Sequence, residues 1–300
     1  MTNQTSNQTR TLREVADGFK LLKTTYGSSK FSFLVANEAA PKVAVMMHGV
    51  TGNKLDMAAM AEAAVKLGYA VYMPDLPGHG DAPELFVTEF DQLGRWFNEC
   101  VLSIGRIPEV VMGHSYGSAI CYNYAQQGFL PESTRLVMGC PTPTIAWSTR
   151  ILGPITGMFP GPIITRLYNT KLAIDVRVNY LSQVNSLQSR QWMFESEYHK
   201  VPFIDMRIGN YLGMLIQTDN PFRGPRISED IQKRTTVVLG LKDNVVTPKA
   251  AGYLRSILPH ARFGELTNAG HILHFEAPIE AVSYLDHKCV DVNMRSVVVK

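Results

Sequence analysis

The residues best suited to chemistry in this sequence lie in a five-residue segment centred on Ser115. The segment reads Gly113-His114-Ser115-Tyr116-Gly117 and joins an apolar run ending at Met112 to a helical pattern that begins at Tyr116. A serine on a sharp strand-to-helix turn projects its Oγ above the sheet, and the flanking glycines let strand and helix approach closely. The helix N-terminus beside it favours negative charge. We therefore predict that Ser115 is a nucleophile.

A serine hydroxyl needs a base, and the base needs a third group to orient it. Asp243 follows a buried-strand pattern at 235–239, and His271 follows the last strand pattern of the chain. Both would lie on loops at the carboxyl ends of strands, where a parallel sheet assembles its site. We predict a triad of Ser115, His271 and Asp243. Other side chains remain as alternatives: Asp205 and Asp219 for the acid, His260 and His274 for the base.

The segment His48-Gly49-Val50-Thr51-Gly52 follows an earlier apolar run and fits one half of an oxyanion hole. In such a site the main-chain N–H after His-Gly acts together with the N–H of the residue after the nucleophile. The two donors would be Val50 and Tyr116. The alternative is that His48-Gly49 only closes a strand and that Gly52 helps the chain to turn.

The elements that must position these residues alternate between strand and helix. Two strand runs joined by a turn come first, at Phe19–Thr25 and Lys30–Ala36, and are expected to be antiparallel edge strands. The alternation that follows predicts an α/β fold with a mostly parallel central sheet and helices on both faces. The predicted strands are Lys42–Met47, Ala70–Met73, Glu109–Met112, Arg135–Gly139, Thr235–Leu239 and Ala261–Leu266, and the predicted helices are Asn53–Leu67, Phe86–Ile104, Tyr116–Gln127, Pro248–Leu258 and Pro278–Lys288.

The alternation stops after Cys140 and resumes near Thr235, which indicates a large insertion. Helical patterns at Ala173–Val184 and Ser189–Tyr198 predict that the insertion is largely helical. We divide the chain into a disordered N-terminal arm at 1–12, a core formed by 13–140 and 233–290, the insertion at 141–232, and a C-terminal tail at 291–300.

Composition narrows the partners and cofactors. The formal charge of +3 comes from scattered Lys and Arg, so no basic run would follow a nucleic-acid backbone. The four cysteines are far apart and are predicted to be reduced, with neither a disulfide framework nor a zinc-binding spacing. No phosphate-binding or dinucleotide-binding fingerprint is present in the sequence. We expect no cofactor, no metal and no nucleic-acid partner.

Membrane insertion is not expected either. The most apolar stretch, Ile151–Ile164, is interrupted by Gly153-Pro154 and by Pro160-Gly161-Pro162, and such breaks do not suit a spanning helix. The polar N-terminus lacks the apolar region of a signal peptide. We predict a cytoplasmic location.

The chain resembles the α/β-hydrolase superfamily from Lys42 to roughly Leu285. The resemblance rests on five segments in the order the family requires: His48-Gly49-Val50, Asp75-Leu76-Pro77-Gly78-His79-Gly80, Gly113-His114-Ser115-Tyr116-Gly117, Gly240-Leu241-Lys242-Asp243 and Gly270-His271. It implies that the loop at Asp75–Gly80 is structural, that His79 is a loop residue, and that the insertion at Pro141–Gln232 is a cap providing the acyl or alcohol pocket. Members with Asp at the nucleophile position open epoxides or remove halides, and Ser115 argues against both.

The hypothesis that follows is a serine hydrolase that cleaves a small carboxylic ester through an acyl-enzyme on Ser115. Three alternatives remain: a thioesterase or acyltransferase acting on acyl groups bound to an acyl carrier protein, a C–C bond hydrolase, and a ligand receptor built on a hydrolase fold. Basic residues of the insertion either meet an acidic carrier or form a solvated face: Arg150, Arg166, Lys171 and Arg177.

Overall fold

An eight-stranded sheet forms the centre of the protein in a computed structural model that describes residues 9–143, 161–199 and 206–286. The strand order is β1-β2-β4-β3-β5-β6-β7-β8. β1 and β2 form an antiparallel hairpin, β2 is also antiparallel to β4, and β3 to β8 are parallel. The strands are β1 (Lys20–Tyr26), β2 (Ser29–Ala36), β3 (Lys42–Met47), β4 (Tyr69–Pro74), β5 (Val110–His114), β6 (Arg135–Gly139), β7 (Thr235–Gly240) and β8 (Arg262–Leu266).

The burial of the strands follows from their sequences. β4, β5 and β7 are buried at every residue, and their nearly continuous apolar runs suit a sheet that is covered on both faces. β1 is mostly exposed because it lies at the edge. The predicted α/β fold, with a mostly parallel sheet and helices on both faces, is confirmed.

Helices connect the parallel strands and form the cap. Those of the core are α1 (Leu12–Val15), α2 (Ala58–Lys66), α3 (Phe90–Leu102), α4 (Tyr116–Gln126), α9 (Glu229–Lys233), α10 (Pro248–Ile257), α11 (Leu273–Glu276) and α12 (Pro278–Ser283). Those of the predicted insertion are α5 (Gly161–Tyr168), α6 (Lys171–Leu181), α7 (Leu187–His199) and α8 (Met206–Thr218). The short 3-10 helices Lys54–Met57 and Pro221–Arg223 complete the described elements.

One predicted helix begins later than expected. The chain from Asn53 forms a 3-10 turn before α2 begins at Ala58, because the Asn53 side chain accepts a hydrogen bond from the Leu55 N–H and caps that turn.

The end of the predicted N-terminal arm packs against the cap. Leu12 is buried beside Val178 and Met193, and its N–H donates to a Glu195 carboxylate oxygen at 2.8 Å. The Arg10 carbonyl accepts a hydrogen bond from the indole N–H of Trp192 at 2.7 Å. At these residues the structure differs from the predicted disordered arm, since apolar burial and hydrogen bonds to α7 order the chain; residues 1–8 lie outside the described residues.

Three of the four cysteines lie in the described part of the chain. Cys100, Cys121 and Cys140 are buried free thiols, and Cys289 lies outside the described residues. Within the described ranges, none of the helices combines the length and the apolar character needed to cross a bilayer. The interrupted stretch Ile151–Ile164 lies largely outside them.

Candidate active site

Ser115 lies at the turn between β5 and α4, with the backbone angles φ 52° and ψ −114°. This left-handed conformation is strained for a residue with a side chain, and the turn around it is held closely. A Cβ at Gly113 would lie 2.3 Å from the carbonyl oxygen of Gly117, and one at Gly117 would lie 2.5 Å from that of His48. The Ser118 hydroxyl donates to the Gly113 carbonyl at 2.7 Å. Both glycines are therefore required by direct backbone contact.

Ser115, His271 and Asp243 form a continuous chain of hydrogen bonds. The Oγ of Ser115 lies 3.0 Å from Nε2 of His271, and Nδ1 of His271 lies 3.0 Å from Oδ2 of Asp243. The carboxylate partner assigns the proton to Nδ1, so Nε2 accepts the hydrogen bond from the serine hydroxyl. Along the chain, His271 is 156 positions from Ser115 and 28 positions from Asp243. The three residues meet at the carboxyl ends of β5, β7 and β8.

Asp243 is held as a carboxylate. Its second oxygen accepts hydrogen bonds from the N–H groups of Val245 and Val246 at 2.7 and 2.9 Å. Burial favours the neutral acid, but the hydrogen bond and charge of His271, together with these two amides, outweigh it and lower the pKa of Asp243. A carboxylate at neutral pH can orient the imidazole and stabilise its protonated form.

His114, the residue before Ser115, supports the loop that holds His271. Its Nε2–H donates to the main-chain carbonyl of His271 at 2.7 Å, and its ring packs against the ring of His274 at 4.2 Å between centroids. Burial, with a smaller contribution from the charge of His271, lowers the pKa of His114 to about 3. His114 is therefore neutral at physiological pH.

Glu276 joins the His271 loop to the cap. One carboxylate oxygen accepts the N–H of Gly270 at 2.5 Å, and the other accepts the N–H groups of Gln183 and Val184 at 2.7 and 2.9 Å. A Cβ at Gly270 would lie 2.9 Å from Cβ of Gln183, so the loop and the cap are in close contact here. The sequence analysis did not identify this residue.

The loop after β3 packs on the Ser115 turn as the proposed oxyanion site requires. A Cβ at Gly49 would lie 3.3 Å from Cβ of Ser115. Val50 and Tyr116 both line the cavity into which Ser115 faces. Within the part of the chain that the structure describes, the main-chain N–H groups of these two residues donate no hydrogen bond to the protein, which leaves them available to a ligand oxygen.

Two buried histidines hold this loop. His48 donates from Nδ1 to the Gly49 carbonyl at 2.7 Å and accepts the Leu76 N–H at Nε2. His79 donates from Nδ1 to the Pro77 carbonyl and accepts the Thr51 N–H at 3.2 Å. His79 thus lies in the loop after β4, as the resemblance implied, and its ring also supports the segment that contains Val50.

The alternative acids and bases that the structure describes make other contacts. The Asp219 carboxylate accepts the N–H of Phe90 at 2.6 Å, and Asp205 lies outside the described residues. His274 lies in α11 and packs on His114, whereas His260 is exposed near Glu229. Of the four alternatives, the three that are described are absent from the hydrogen-bond chain of Ser115.

A cavity of about 330 Å³ lies over Ser115 and His271, between the core and the cap. Arg177 of α6 and Ser196 and Glu197 of α7 line its cap side. Nε of Arg177 donates to Glu197 at 2.6 Å, and Nη1 donates to the Tyr168 carbonyl at 2.8 Å. Arg177 therefore faces inward and is not part of a solvated basic face; Arg166 and Lys171 are exposed, and Arg150 lies outside the described residues.

One group among the described residues has the spacing of metal ligands. Cys140, Asp243 and His271 offer ligand atoms that lie within 4.8 Å of one another. The hydrogen bond between Asp243 and His271 already joins two of these side chains. A metal ion at this position would compete with that hydrogen bond.

Comparison with known proteins assigns the chain to a family. The sequence matches the alpha/beta hydrolase family over residues 44–283, which is most of the chain. The chain belongs to the alpha/beta hydrolase family. The matched range contains the positions of Ser115, Asp243 and His271. It confirms the resemblance inferred from the sequence.

Sequence relatives of this alpha/beta hydrolase include lipases, and the structure of an esterase has a similar fold. It is 24% identical over 248 residues to the sn-1-specific diacylglycerol lipase ABHD11 of Mus musculus, covering 82% of this chain and 80% of that protein. It is 24% identical to Lipase 3 of Moraxella sp. (strain TA144), and the match covers 78% of this chain and 72% of that protein. The structure of the esterase EaEST from Exiguobacterium antarcticum superposes with a TM-score of 0.67 at 15% identity, covering 88% of this chain and 98% of that one.

Proposed function

We propose that this protein is a serine hydrolase that cleaves a carboxylic ester through an acyl-enzyme on Ser115. The single observation that supports the proposal most strongly is the hydrogen-bond chain from Ser115 through His271 to Asp243, with 3.0 Å at each step. The sequence relatives named as lipases agree with an ester substrate.

In the acylation step, Oγ of Ser115 attacks the ester carbonyl carbon while Nε2 of His271 takes the hydroxyl proton. The carbonyl oxygen becomes an oxyanion and accepts hydrogen bonds from the N–H groups of Val50 and Tyr116. Tyr116 is the first residue of α4, so the partial positive charge of the helix N-terminus also favours the oxyanion. The tetrahedral intermediate collapses, the C–O bond to the alcohol breaks, and His271 returns its proton to the departing alkoxide.

In the deacylation step, a water molecule gives a proton to Nε2 of His271 and attacks the acyl carbon. The bond between this carbon and Oγ then breaks, and Oγ regains the proton from His271. Throughout both steps Asp243 remains a carboxylate, because its lowered pKa keeps it ionised while the imidazole is charged.

The cavity limits the substrate to a modest size. Its volume of about 330 Å³ is near the lower end of the range for small-molecule sites, roughly 300–1,000 Å³. The cap and the core both contribute to its wall, so one side of the ester is expected to contact α6 and α7.

The proposal is tested by active-site labelling with a fluorophosphonate probe, followed by peptide mass spectrometry. We expect one adduct, on Ser115, that is lost after heat unfolding and in the Ser115→Ala variant. Ser118 is unsuitable as a control position because its hydroxyl donates to the Gly113 carbonyl in the turn around Ser115. The control is Ser189→Ala, which changes a buried cap serine outside the cavity lining and should label normally. A protein that hydrolyses esters without an adduct on Ser115 would contradict the proposal.

Ester and thioester cleavage are separated by comparing turnover of a simple acyl ester with that of the same acyl group bound as a thioester to a carrier protein. We expect kcat/KM to be higher for the ester. A strong preference for the carrier-bound thioester, abolished by reversing the charge of Arg166 and Lys171, would instead favour the thioesterase alternative.

A further inference from the structure

Arg177 carries a hydrogen-bonding group that no described residue of the protein uses. Its Nε and Nη1 bind the Glu197 carboxylate and the Tyr168 carbonyl, and its guanidinium carbon lies 3.5 Å from the centre of the Tyr168 ring. Nη2 is buried and finds no hydrogen-bond partner among the described residues. A buried donor without a partner is costly, and the cost is larger on a charged group.

Ser196 repeats this feature on the next helix. Its hydroxyl is buried and has no hydrogen-bond partner within the described ranges, and Ser196 is 3% exposed. Ser196 directly precedes Glu197, the ion-pair partner of Arg177, and all three residues line the cavity above Ser115. Two unused polar groups therefore belong to residues on the cap side of the cavity, while the catalytic groups lie on its core side.

The charges on this wall decide which kind of group would bind there. Glu197 already balances the charge of Arg177, and Asp56 adds a second carboxylate among the described lining residues. A substrate carboxylate would meet two carboxylates and one guanidinium, and its desolvation would add to the unfavourable energy. A hydroxyl or carbonyl oxygen carries no charge, so it can accept from Nη2 once a side-chain rotation turns this covered atom towards the cavity.

We propose that the cap side of this cavity, through Arg177 Nη2 and Ser196 Oγ, selects esters that carry an uncharged oxygen, a hydroxyl or a ketone, away from the scissile bond. Arg177 and Ser196 are specificity-determining residues in this scheme and take no part in bond breaking. The inference rests on the proposed ester hydrolysis, and it adds a substrate class to it.

The test uses two series of esters, with the oxygen placed on the acyl side in one and on the alcohol side in the other. Each series pairs a plain hydrocarbon ester with ketone, hydroxyl and carboxylate analogues of equal length, and it moves the oxygen along the chain. For the wild-type protein we expect kcat/KM to be higher for the ketone or hydroxyl ester than for the hydrocarbon in at least one series, and lowest for the carboxylate.

The informative variant is Arg177→Lys, because lysine can keep the ion pair with Glu197 but has no group equivalent to Nη2. It also loses the contacts of the guanidinium with Tyr168, and the hydrocarbon ester reports that loss separately. A hydrogen bond to a charged donor is worth about 1.5–3 kcal/mol, so kcat/KM for the preferred oxygenated ester should fall by about ten- to a hundredfold. The value for the hydrocarbon ester should fall by a smaller factor, since it makes no such bond and reports only the altered packing around Tyr168. Ser196→Ala should reduce the same preference by a smaller factor.

Matched controls separate recognition from folding. Arg190→Lys changes an exposed arginine of α7 that is hydrogen-bonded to Asn179 and does not line the cavity, and Ser189→Ala changes a buried serine of the same helix. Both should keep the wild-type preference. If Arg177→Lys fails to fold, Ser196→Ala and the wild-type preference still decide the question.

The outcomes are distinct. Equal kcat/KM for oxygenated and hydrocarbon esters in both series, or a preference that Arg177→Lys leaves unchanged, overturns the inference while ester hydrolysis stands. A preference for the carboxylate ester overturns the proposed choice of an uncharged oxygen. Absence of turnover with every ester overturns the proposed function and the inference together.

Discussion

The core side and the cap side of the cavity are built in different ways. On the core side, Ser115, His271 and Asp243 are joined by hydrogen bonds, and Gly113 and Gly117 have no room for even one additional carbon. On the cap side, Arg177 and Ser196 keep polar atoms that no described residue satisfies, and Gly213 of α8 has open space around it.

The helices that form these two sides differ in the same sense. α4, behind the nucleophile, is buried at nearly every residue, whereas the cap helices leave large apolar side chains exposed, such as Leu172 at 74% and Leu187 at 77%. Close packing fixes one geometry, and loose packing tolerates replacement. Under the proposed mechanism, the reaction would depend on the closely packed core, whereas the choice of substrate would depend on the cap, whose looser packing tolerates more replacements.

The largest effect should come from removing the core nucleophile. Ser115→Ala should lower kcat for a hydrocarbon ester by ~10⁶, because loss of the nucleophile in a triad removes the covalent route. The cap serine Ser196→Ala should retain kcat for the same ester within about threefold, since it contributes at most a hydrogen bond to the substrate. Steady-state kinetics with both variants checks this. Comparable losses in the two variants would remove the distinction between core and cap.

A somewhat smaller effect is expected at the acid. Asp243→Asn should lower kcat by ~10⁴, because an amide neither stabilises the imidazolium nor favours the tautomer with the proton on Nδ1. Asp219→Asn is the matched control, since an asparagine oxygen can still accept the Phe90 N–H and activity should be near that of the wild type. If Asp219→Asn were inactive and Asp243→Asn active, Asp219 would be the acid that orients His271.

The third prediction concerns stability against pH. His114 has a folded-state pKa of about 3 against an ordinary value of 6.5, so the folded protein resists a proton that the unfolded chain accepts. The free energy of unfolding should therefore be highest above pH 6.5 and should fall by about 1.4 kcal/mol per pH unit as pH decreases towards 3, or on the order of 4–5 kcal/mol in total.

Urea unfolding of the wild type and of His114→Gln between pH 4.5 and 7.5 measures this slope. Glutamine can keep the hydrogen bond to the His271 carbonyl but cannot titrate. The unfolding of this variant should therefore take up about one proton fewer, and its free energy of unfolding should depend less steeply on pH. The exposed His260→Gln variant should retain the wild-type slope. Equal slopes for the wild type and His114→Gln would show that His114 does not cause the loss of stability at low pH.

The smallest effect is expected on the free energy of unfolding, when one glycine of the core and one glycine of the cap are each replaced by alanine. Gly117→Ala should lower the free energy of unfolding by about 1–3 kcal/mol, because its Cβ would meet the His48 carbonyl oxygen and the Met47 side chain. Gly213→Ala should raise it by up to about 1 kcal/mol, since alanine is the better residue inside a helix and has room there. Thermal or chemical unfolding of the two variants provides the measurement. A gain in stability from Gly117→Ala would mean that the core is not as closely packed as described.

The strands and the core part of the site could be predicted because their signals are local. β3 and β6 have the predicted bounds, Lys42–Met47 and Arg135–Gly139, since continuous apolar runs bounded by turn residues define buried strands. Ser115, Asp243 and His271 each follow a strand directly, so the topology of a parallel sheet brings them to one edge. Their hydrogen bonds agree with the predicted triad, whose catalytic role remains the proposal.

The cap could not be predicted to the same extent. The prolines at 160 and 162 predict a break rather than α5, but Pro162 lies in the first turn of this helix, where proline is accepted. α8 contains Gly209 and Gly213, which weaken the helical signal. The pairing of Arg177 with Glu197 and the hydrogen bonds of Glu276 depend on how separate helices pack, and no spacing rule in the sequence reports such contacts.

The carboxylate of Glu276 has a consequence for protein engineering. Because it binds Gly270 on one side and the Gln183 and Val184 amides on the other, a cap transplanted from another hydrolase would bring its own chain to the place of residues 183–184. If that chain offers no N–H groups there, one carboxylate oxygen of Glu276 loses both hydrogen-bond donors, close to the loop of His271. A chimera that keeps the native segment 182–184 at the junction should therefore preserve the reaction while exchanging the pocket.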